Sequence, residues 1–195
     1  MSKWKQVAGL SAIVLAAFCA AAGARAGANE PASEAFQFPV PKPGPEHEIL
    51  KKEEGVWDAS VETMLPDGNK DVSKGVETNT LLGGLWLITD YKGALGPQDF
   101  SGHGVMGYDP KKKKYVGTWV DTMSTTLAVV EETYDAATKT ITGAMEATDE
   151  NGKTVKMKMV TEWKDDNNRI FTMSGPGPDG KEVMMMRITY KRRGK

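Results

Sequence analysis

The sequence predicts an all-β fold, an antiparallel up-and-down barrel of about ten strands that is preceded by one short helix. Three observations lead to this prediction. From Val56 onward, apolar and polar residues alternate with a period of two, as in strands that bury one face. Segments about ten residues long follow at regular spacing, separated by turns rich in Gly, Asp, Asn and Pro. Because these turns are short, sequential strands should pair, which favours up-and-down closure over a Greek key.

The alternation defines the individual strands. In the first one, Trp57, Ala59 and Val61 alternate with polar residues. The same pattern recurs without an intervening helical period, which is typical of an antiparallel sandwich or barrel. The predicted strands span residues 56–65, 72–82, 84–92, 98–108, 113–122, 125–134, 138–147, 153–163, 168–175 and 181–190.

The N-terminal segment, residues 1–26, has the layout of a secretory signal peptide. Two lysines precede an uncharged apolar run at residues 7–22, and the segment ends in the A-x-A pattern Ala24-Arg25-Ala26. The run is too short and wrongly flanked for a good membrane span, although an uncleaved anchor is the alternative. We therefore expect export to the periplasm or the extracellular space. We expect no stable membrane association after cleavage, which also removes the single cysteine, Cys19.

The remainder of the chain is expected to form one domain. Residues 27–45 are a Pro/Gly-rich linker in which the prolines exclude a helix. Residues 46–54 start with acidic residues and end before Gly55, so they predict one short helix that plugs a barrel end. The barrel domain spans residues 46–190 and a basic tail spans 191–195.

The charge balance excludes some partners. The signal peptide carries three of the 25 basic residues and none of the 26 acidic ones, so the mature chain has a net charge of −4. An acidic chain of this kind is not expected to bind nucleic acid or an anionic membrane. The sequence does not indicate an oligomeric state.

The C-terminal strands predict an inner face rich in methionine. Because methionine is flexible and polarisable, it suits a lumen that holds a small apolar ligand, but it is also an ordinary core residue. A soft-metal site is a third interpretation, since thioethers bind Cu(I), but the chain has only two histidines to help. The candidate residues in the inward phase are Met145, Met157, Met159, Trp163, Met184 and Met186.

Two aromatic residues, Trp57 and Trp119, share the inward phase of their strands and are candidates for the lumen lining or for its packed core. Asp121 shares the phase of Trp119 and is followed by several hydroxyl residues, so it should lie near the barrel rim. A carboxylate there can orient a ligand or act as a general base. It can equally accept backbone N–H bonds in a tight turn.

Two further candidates are His103, which lies between two glycines, and Tyr108. An enzyme acting at the barrel mouth would use Asp121 with Tyr108 or His103, whereas a hydrogen-bonded structural role is the alternative for the histidine. The sequence contains no G-x-S-x-G, H-E-x-x-H, G-x-G-x-x-G or P-loop motif. We therefore expect no cofactor and no metal, and we favour ligand binding over catalysis. A structural or interaction domain with a filled barrel is the remaining hypothesis.

Several short motifs together resemble a bacterial family, domain of unknown function 1579, which is grouped with the calycin-like barrels. The resemblance implies a calycin-like barrel over most of the chain, and it implies no activity. One departure is Glu132, where the family pattern implies a glycine. The motifs are Gly55–Trp57, Leu82–Trp86, Phe100–Gly104, Gly107–Asp109, Tyr115–Ser124, Thr133–Asp135 and Thr161–Trp163.

The motif Gly55–Trp57 is also similar to one in nitrobindins, which are calycins that bind haem through a histidine near the C-terminus. This chain has no histidine after His103. The resemblance therefore does not extend to haem.

Overall fold

The computed structural model describes residues 39–65, 67–148, 152, 154–177 and 180–194. The predicted signal peptide and most of the predicted linker lie outside the described residues. Residues Val40–Lys195 form one compact unit. Within the described part of this unit, neither helix is long and apolar enough to cross a membrane.

Ten antiparallel strands close into a barrel. A 3₁₀ turn at Pro45–His47 leads into helix α1, Glu48–Glu53. Each strand then pairs with its neighbours along the chain and β1 pairs with β10, which closes the sheet and confirms the predicted fold. The strands are β1 (Gly55–Met64), β2 (Lys70–Leu82), β3 (Trp86–Leu95), β4 (Gln98–Asp109), β5 (Lys114–Asp121), β6 (Ala128–Asp135), β7 (Thr140–Thr148), β8 (Thr154–Trp163), β9 (Asn168–Pro176) and β10 (Glu182–Arg192).

The period-two pattern corresponds to the two faces of the closed sheet. On β1, Trp57, Ala59 and Val61 are buried in the barrel, whereas Asp58 and Ser60 are exposed outside. Side chains alternate across a strand, so each register pair continues the same face onto the next strand. The alternation in the sequence therefore selects the inner face correctly along most strands.

Helix α1 covers one end of the barrel. Leu50 is 1% exposed and Ile49 is 5% exposed, because both pack on the inner residues of the strands. The indole Nε1 of Trp57 donates to the Glu53 carbonyl oxygen at 2.9 Å, and the Tyr115 hydroxyl donates to the Glu46 carbonyl oxygen at 2.7 Å. These bonds satisfy the free carbonyl groups of a short helix and fix it on the sheet. The predicted helix over a barrel end is confirmed.

The strand pairing is irregular at one place, a bulge in β10 between Met184 and Met186. Met186 pairs with the inward-facing Met173, but Met184 pairs with Ser174, whose other neighbour is the exposed Lys158. One extra residue shifts the side-chain phase by one. Met184 thus takes the phase of the outer face, which corrects the prediction that it faces inward.

Candidate functional site

The inner face of the barrel is buried at the end that α1 covers and only half-buried at the other end. We call the end opposite α1 the mouth; there β5 ends at Asp121 and β6 begins at Ala128. Inward-facing side chains near α1 are buried, whereas those toward the mouth are only half-buried. The inner face is therefore partly exposed to solvent at the mouth. The buried set contains Trp57, Tyr115, Ile141, Trp163 and Tyr190, and the half-buried set contains Phe100, Trp119, Met145, Met157, Phe171, Met173 and Met186.

Methionines form one wall of the mouth half. Met186 pairs with Met173, and Met173 pairs with the buried Met159, so three thioethers lie side by side across β10, β9 and β8. Met157 pairs with Met145 in the adjacent row. Paired residues on one face have Cβ atoms about 5 Å apart, close enough for the side chains to touch. The register thus places Met145, Met157, Met159 and Met186 on one inner wall.

Beyond the bulge, Met185 occupies the inner side of β10. A Cβ atom on the inward-facing Gly175 would lie 2.7 Å from the Met185 sulfur and 3.5 Å from Cγ of Met157. Met185 therefore contacts the methionine wall near the mouth, where it is 37% exposed, whereas Met184 is half-buried. The sequence alternation missed it because a bulge does not change composition.

Trp119 lies against the opposite wall of the mouth, fixed by two contacts. Its ring covers Gly102 and Gly104; a Cβ atom on Gly102 would lie 2.1 Å from Cζ2 of the indole, so only glycine fits there. Its Nε1 donates to Asp121 Oδ2 at 2.9 Å, and Oδ1 of the same carboxylate accepts from the Met123 amide at 2.8 Å. Both oxygens of Asp121 thus hold the rim turn and the indole.

The three residues of the enzyme hypothesis lie apart. His103 is on the outer face, its side chain 49% exposed and its Nδ1 2.8 Å from Asp90 Oδ1, so it does not line the lumen. This corrects its assignment as a lumen or rim residue. Tyr108 lies near α1, with its ring centroid 5.3 Å from that of Tyr115. Asp121 pairs with Gly102 of β4. Gly102 is six residues from Tyr108 along that strand, a distance of about 20 Å.

The sealed end holds the two other candidate tryptophans, Trp57 and Trp163. Their rings meet edge to face with centroids 5.8 Å apart, and Trp57 is 0% exposed. The Arg169 guanidinium lies 4.7 Å from the Trp57 ring centroid and 3.9 Å from that of Tyr190. These aromatic residues form the floor of the lumen beneath its accessible part.

A buried ion network on this floor was not found from the sequence. Arg169 Nε lies 3.0 Å from Glu53 Oε2, and the guanidinium also pairs with Glu77. Asn79 Nδ2 donates to Glu77 Oε1 at 2.7 Å and to the Glu53 carbonyl oxygen at 3.1 Å. Arg169 Nε is close to the Glu53 carboxylate, but it is not oriented to donate a hydrogen bond to it. The alternation in β9 could have indicated it, because Arg169 lies at the same inward-facing positions of the strand as Phe171 and Met173.

Two carboxyl groups in the interior have raised pKa values. Burial raises the pKa of Glu53 from 4.5 to about 7 and outweighs the opposing effect of Arg169, while the charge of Glu77 adds to the rise. Burial, followed by the charge of Glu53, raises the pKa of Glu132 to about 7. The residue that departs from the expected family glycine is thus a buried carboxyl group.

Two open surface grooves lie outside the lumen. One, of about 670 Å³, crosses the outer faces of β1, β2, β3 and β10 and is lined by Lys74, Lys92 and Lys191 among others. The other, of about 630 Å³, lies between α1 and the neighbouring hairpin tips. Within residues 39–194, as far as they are described, no cluster of three or more His, Cys, Asp or Glu side chains could hold a metal ion.

Comparison with solved structures finds proteins of similar fold. Among solved structures, the fold is similar to the crystal structure of Rv2717c from M. tuberculosis, with 10% identity, a TM-score of 0.59 and coverage of 77% of this chain and 99% of that chain. It is also similar to the S-type phycobiliprotein lyase CPES from Guillardia theta, with 9% identity, a TM-score of 0.51 and coverage of 77% and 93%. At such identities these likenesses show the fold alone.

No curated protein matches the chain. A family model described as "Protein of unknown function (DUF1579)" matches residues 42–192, which is well over half of the sequence. The chain therefore belongs to the DUF1579 family of proteins of unknown function.

Proposed function

We propose that this protein binds a small, largely apolar ligand in the mouth half of its lumen. The observation that carries the proposal is the exposure of inward-facing methionine and aromatic side chains there, beside a sealed and buried floor. Each Å² of apolar surface that a ligand covers contributes about 25 cal/mol. Small-molecule sites are usually lined by apolar and aromatic side chains of this kind.

The walls of this site are preorganised. The methionines lie on paired strands of a closed sheet, and Trp119 is held by Asp121 and by two underlying glycines. A rigid site loses little conformational entropy when a ligand enters. Methionine adds local adaptability, because its thioether chain changes rotamer easily and accommodates irregular shapes.

A second candidate function is an interaction domain whose barrel is filled by its own side chains. One observation favours it: Trp119 and Met185 lie directly over inward-facing glycines, so wall side chains occupy space that glycine leaves free. The two candidates differ in whether an apolar probe can enter.

Binding of N-phenyl-1-naphthylamine, a neutral fluorescent probe, tests the proposal. We expect its emission to rise with the folded protein, and Met157→Gln to weaken binding about fivefold or more, since it places an amide in the apolar wall. The matched control is Met123→Gln at an exposed position of the rim turn, which should bind as the wild type does. An equal loss in both variants, or no binding by folded wild type, contradicts the proposal. Mass spectrometry of small molecules that co-purify from the native host then identifies the ligand.

We also propose that the protein is exported and functions outside the cytoplasm. The support is the basic start, the apolar run and the A-x-A pattern of residues 1–26. N-terminal sequencing of the exported protein should begin at Gly27. A start at Met1, or a lipid on Cys19, contradicts cleavage after Ala26.

A further inference from the structure

Glu132 on β6 places a carboxyl group on the inner wall of the lumen. It pairs with the buried Tyr115 on one side and with Gly143 on the other, so its side chain shares their inward face. Ala128, where β6 begins at the mouth, is four residues away, or about 13 Å along the strand. Glu132 thus lies at the buried end of the inner face, beside Tyr115 and near Glu53 of α1.

The Glu132 carboxyl group has no partner among the described residues. The side chain is 8% exposed, and no donor of the described chain forms a hydrogen bond with it. The two oxygens of this carboxyl group are unpaired, but the described residues do not enclose them completely. A water-sized molecule can therefore touch them. A buried polar group is normally hydrogen-bonded, and a buried charge is normally paired. The buried carboxyl group therefore lacks the hydrogen-bond donor or cation that such a group normally has.

The local backbone is suited to this carboxyl group. A Cβ atom on Gly143 would lie 2.3 Å from Cγ of Glu132, so the side chain lies across β7 only because residue 143 is glycine. The next residue on that inner row is Met159, which pairs with Gly143. The carboxyl stem thus lies next to the methionine wall and not against the outer surface.

The charge balance of the interior favours a cation. The buried polar residues described include three carboxyl groups, those of Glu53, Glu77 and Glu132, and one guanidinium, that of Arg169. Arg169 already pairs with Glu53 and Glu77, and it is the only cation among the buried polar residues described. An incoming anion would meet unfavourable charge, whereas an incoming cation would neutralise part of the excess.

We propose that the lumen binds an organic cation, an apolar molecule with one protonated amine that pairs with Glu132. This inference rests on the proposed function and specifies its ligand class. The ammonium group donates to the carboxylate at the inner end, and the apolar body lies against Met157, Met159 and Trp119. Aromatic faces and a desolvated carboxylate both favour an ammonium group over a neutral group of the same size.

Three ligands of one shape test this assignment by calorimetry: 2-naphthylmethylamine, 2-naphthylmethanol and 2-naphthoate. Titrations are run at pH 8, above the pKa of about 7 of Glu132, where the amine is still protonated. We expect the amine to bind at least tenfold more tightly than the alcohol, and the carboxylate to bind more weakly than the alcohol. Equal affinity of amine and alcohol, or preference for the carboxylate, overturns the inference while the proposed apolar site stands. No binding of any of the three overturns both.

Two neighbouring variants locate the charge preference. Glu132→Gln should abolish the advantage of the amine over the alcohol. Glu131→Gln is the matched control, because Glu131 lies on the outer face and pairs with Lys112 and Lys114. A preference that persists in Glu132→Gln, or that is lost in Glu131→Gln, overturns the assignment to Glu132. Circular dichroism checks folding, and the wild-type comparison of amine with alcohol decides the ligand class even where a variant fails to fold.

Discussion

At the scale of single residues, Asp121 shows how one carboxylate joins two parts of the mouth. The sequence leaves two roles open for it, because a carboxylate before Thr and Ser residues is compatible with both a turn acceptor and a ligand group. In the structure its two oxygens accept from the Trp119 indole and from the Met123 amide. The indole bond depends on the rotamer of Trp119 over Gly102, which local sequence rules do not specify.

We expect Asp121→Asn to destabilise the fold by about 1 kcal/mol, because one of the two acceptor oxygens becomes an NH₂ group facing a donor. The emission of Trp119 should also shift to the red as the indole loosens. Urea unfolding with tryptophan fluorescence measures both effects. Asp99→Asn, an exposed carboxylate on the same end of the barrel, is the control and should leave both unchanged. An unchanged midpoint for Asp121→Asn would contradict the turn-acceptor role.

At the scale of elements, helix α1 depends on the barrel for its stability. It contains six residues, far fewer than an isolated helix needs in water. Its apolar residues and the carboxylate of Glu53 are buried against the strands. The sequence predicts this element because acidic residues follow Pro45 and Gly55 ends it, and both signals are local.

We expect Leu50→Ala to lower the free energy of unfolding by about 3 kcal/mol, because Leu50 is 1% exposed and its loss leaves a cavity beneath the helix. Thermal or urea unfolding measures this change. Val40→Ala is the control, since Val40 is 79% exposed, and its unfolding should match that of the wild type. A loss below about 1 kcal/mol for Leu50→Ala would mean that α1 contributes little to closing the barrel.

At the scale of the whole molecule, the buried carboxyl groups make stability depend on pH. The pKa values of Glu53 and Glu132 are about 7 in the folded protein, above the ordinary value of 4.5. Between these values the unfolded chain loses protons that the folded protein keeps, so stability falls as the pH rises from 4.5 to 7. Glu131 acts in the opposite direction. Its hydrogen bond to Lys112, followed by that to Lys114, lowers its pKa to about 2, and its contribution is lost as the pH falls below 4.5.

We expect Glu132→Gln to reduce the loss of stability between pH 5 and pH 8 by on the order of 2 kcal/mol, because the amide does not ionise. Urea unfolding at several pH values measures the slope. Glu131→Gln is the control, and its slope over the same interval should equal that of the wild type. If Glu132→Gln and wild type lose stability in parallel, Glu132 is not a buried group with a raised pKa.

The sequence by itself determined the strand order, the up-and-down closure and the helix over one end. Alternation and turn chemistry are local properties, and in a closed sheet they decide which residues face inward. The tertiary structure alone placed His103 outside, turned Met184 out of phase at a bulge and assembled Arg169 with carboxylates from distant elements. It also left Glu132 without a partner. These features depend on strand register and on contacts between residues far apart in sequence, and a one-residue shift in register exchanges the inner and outer faces.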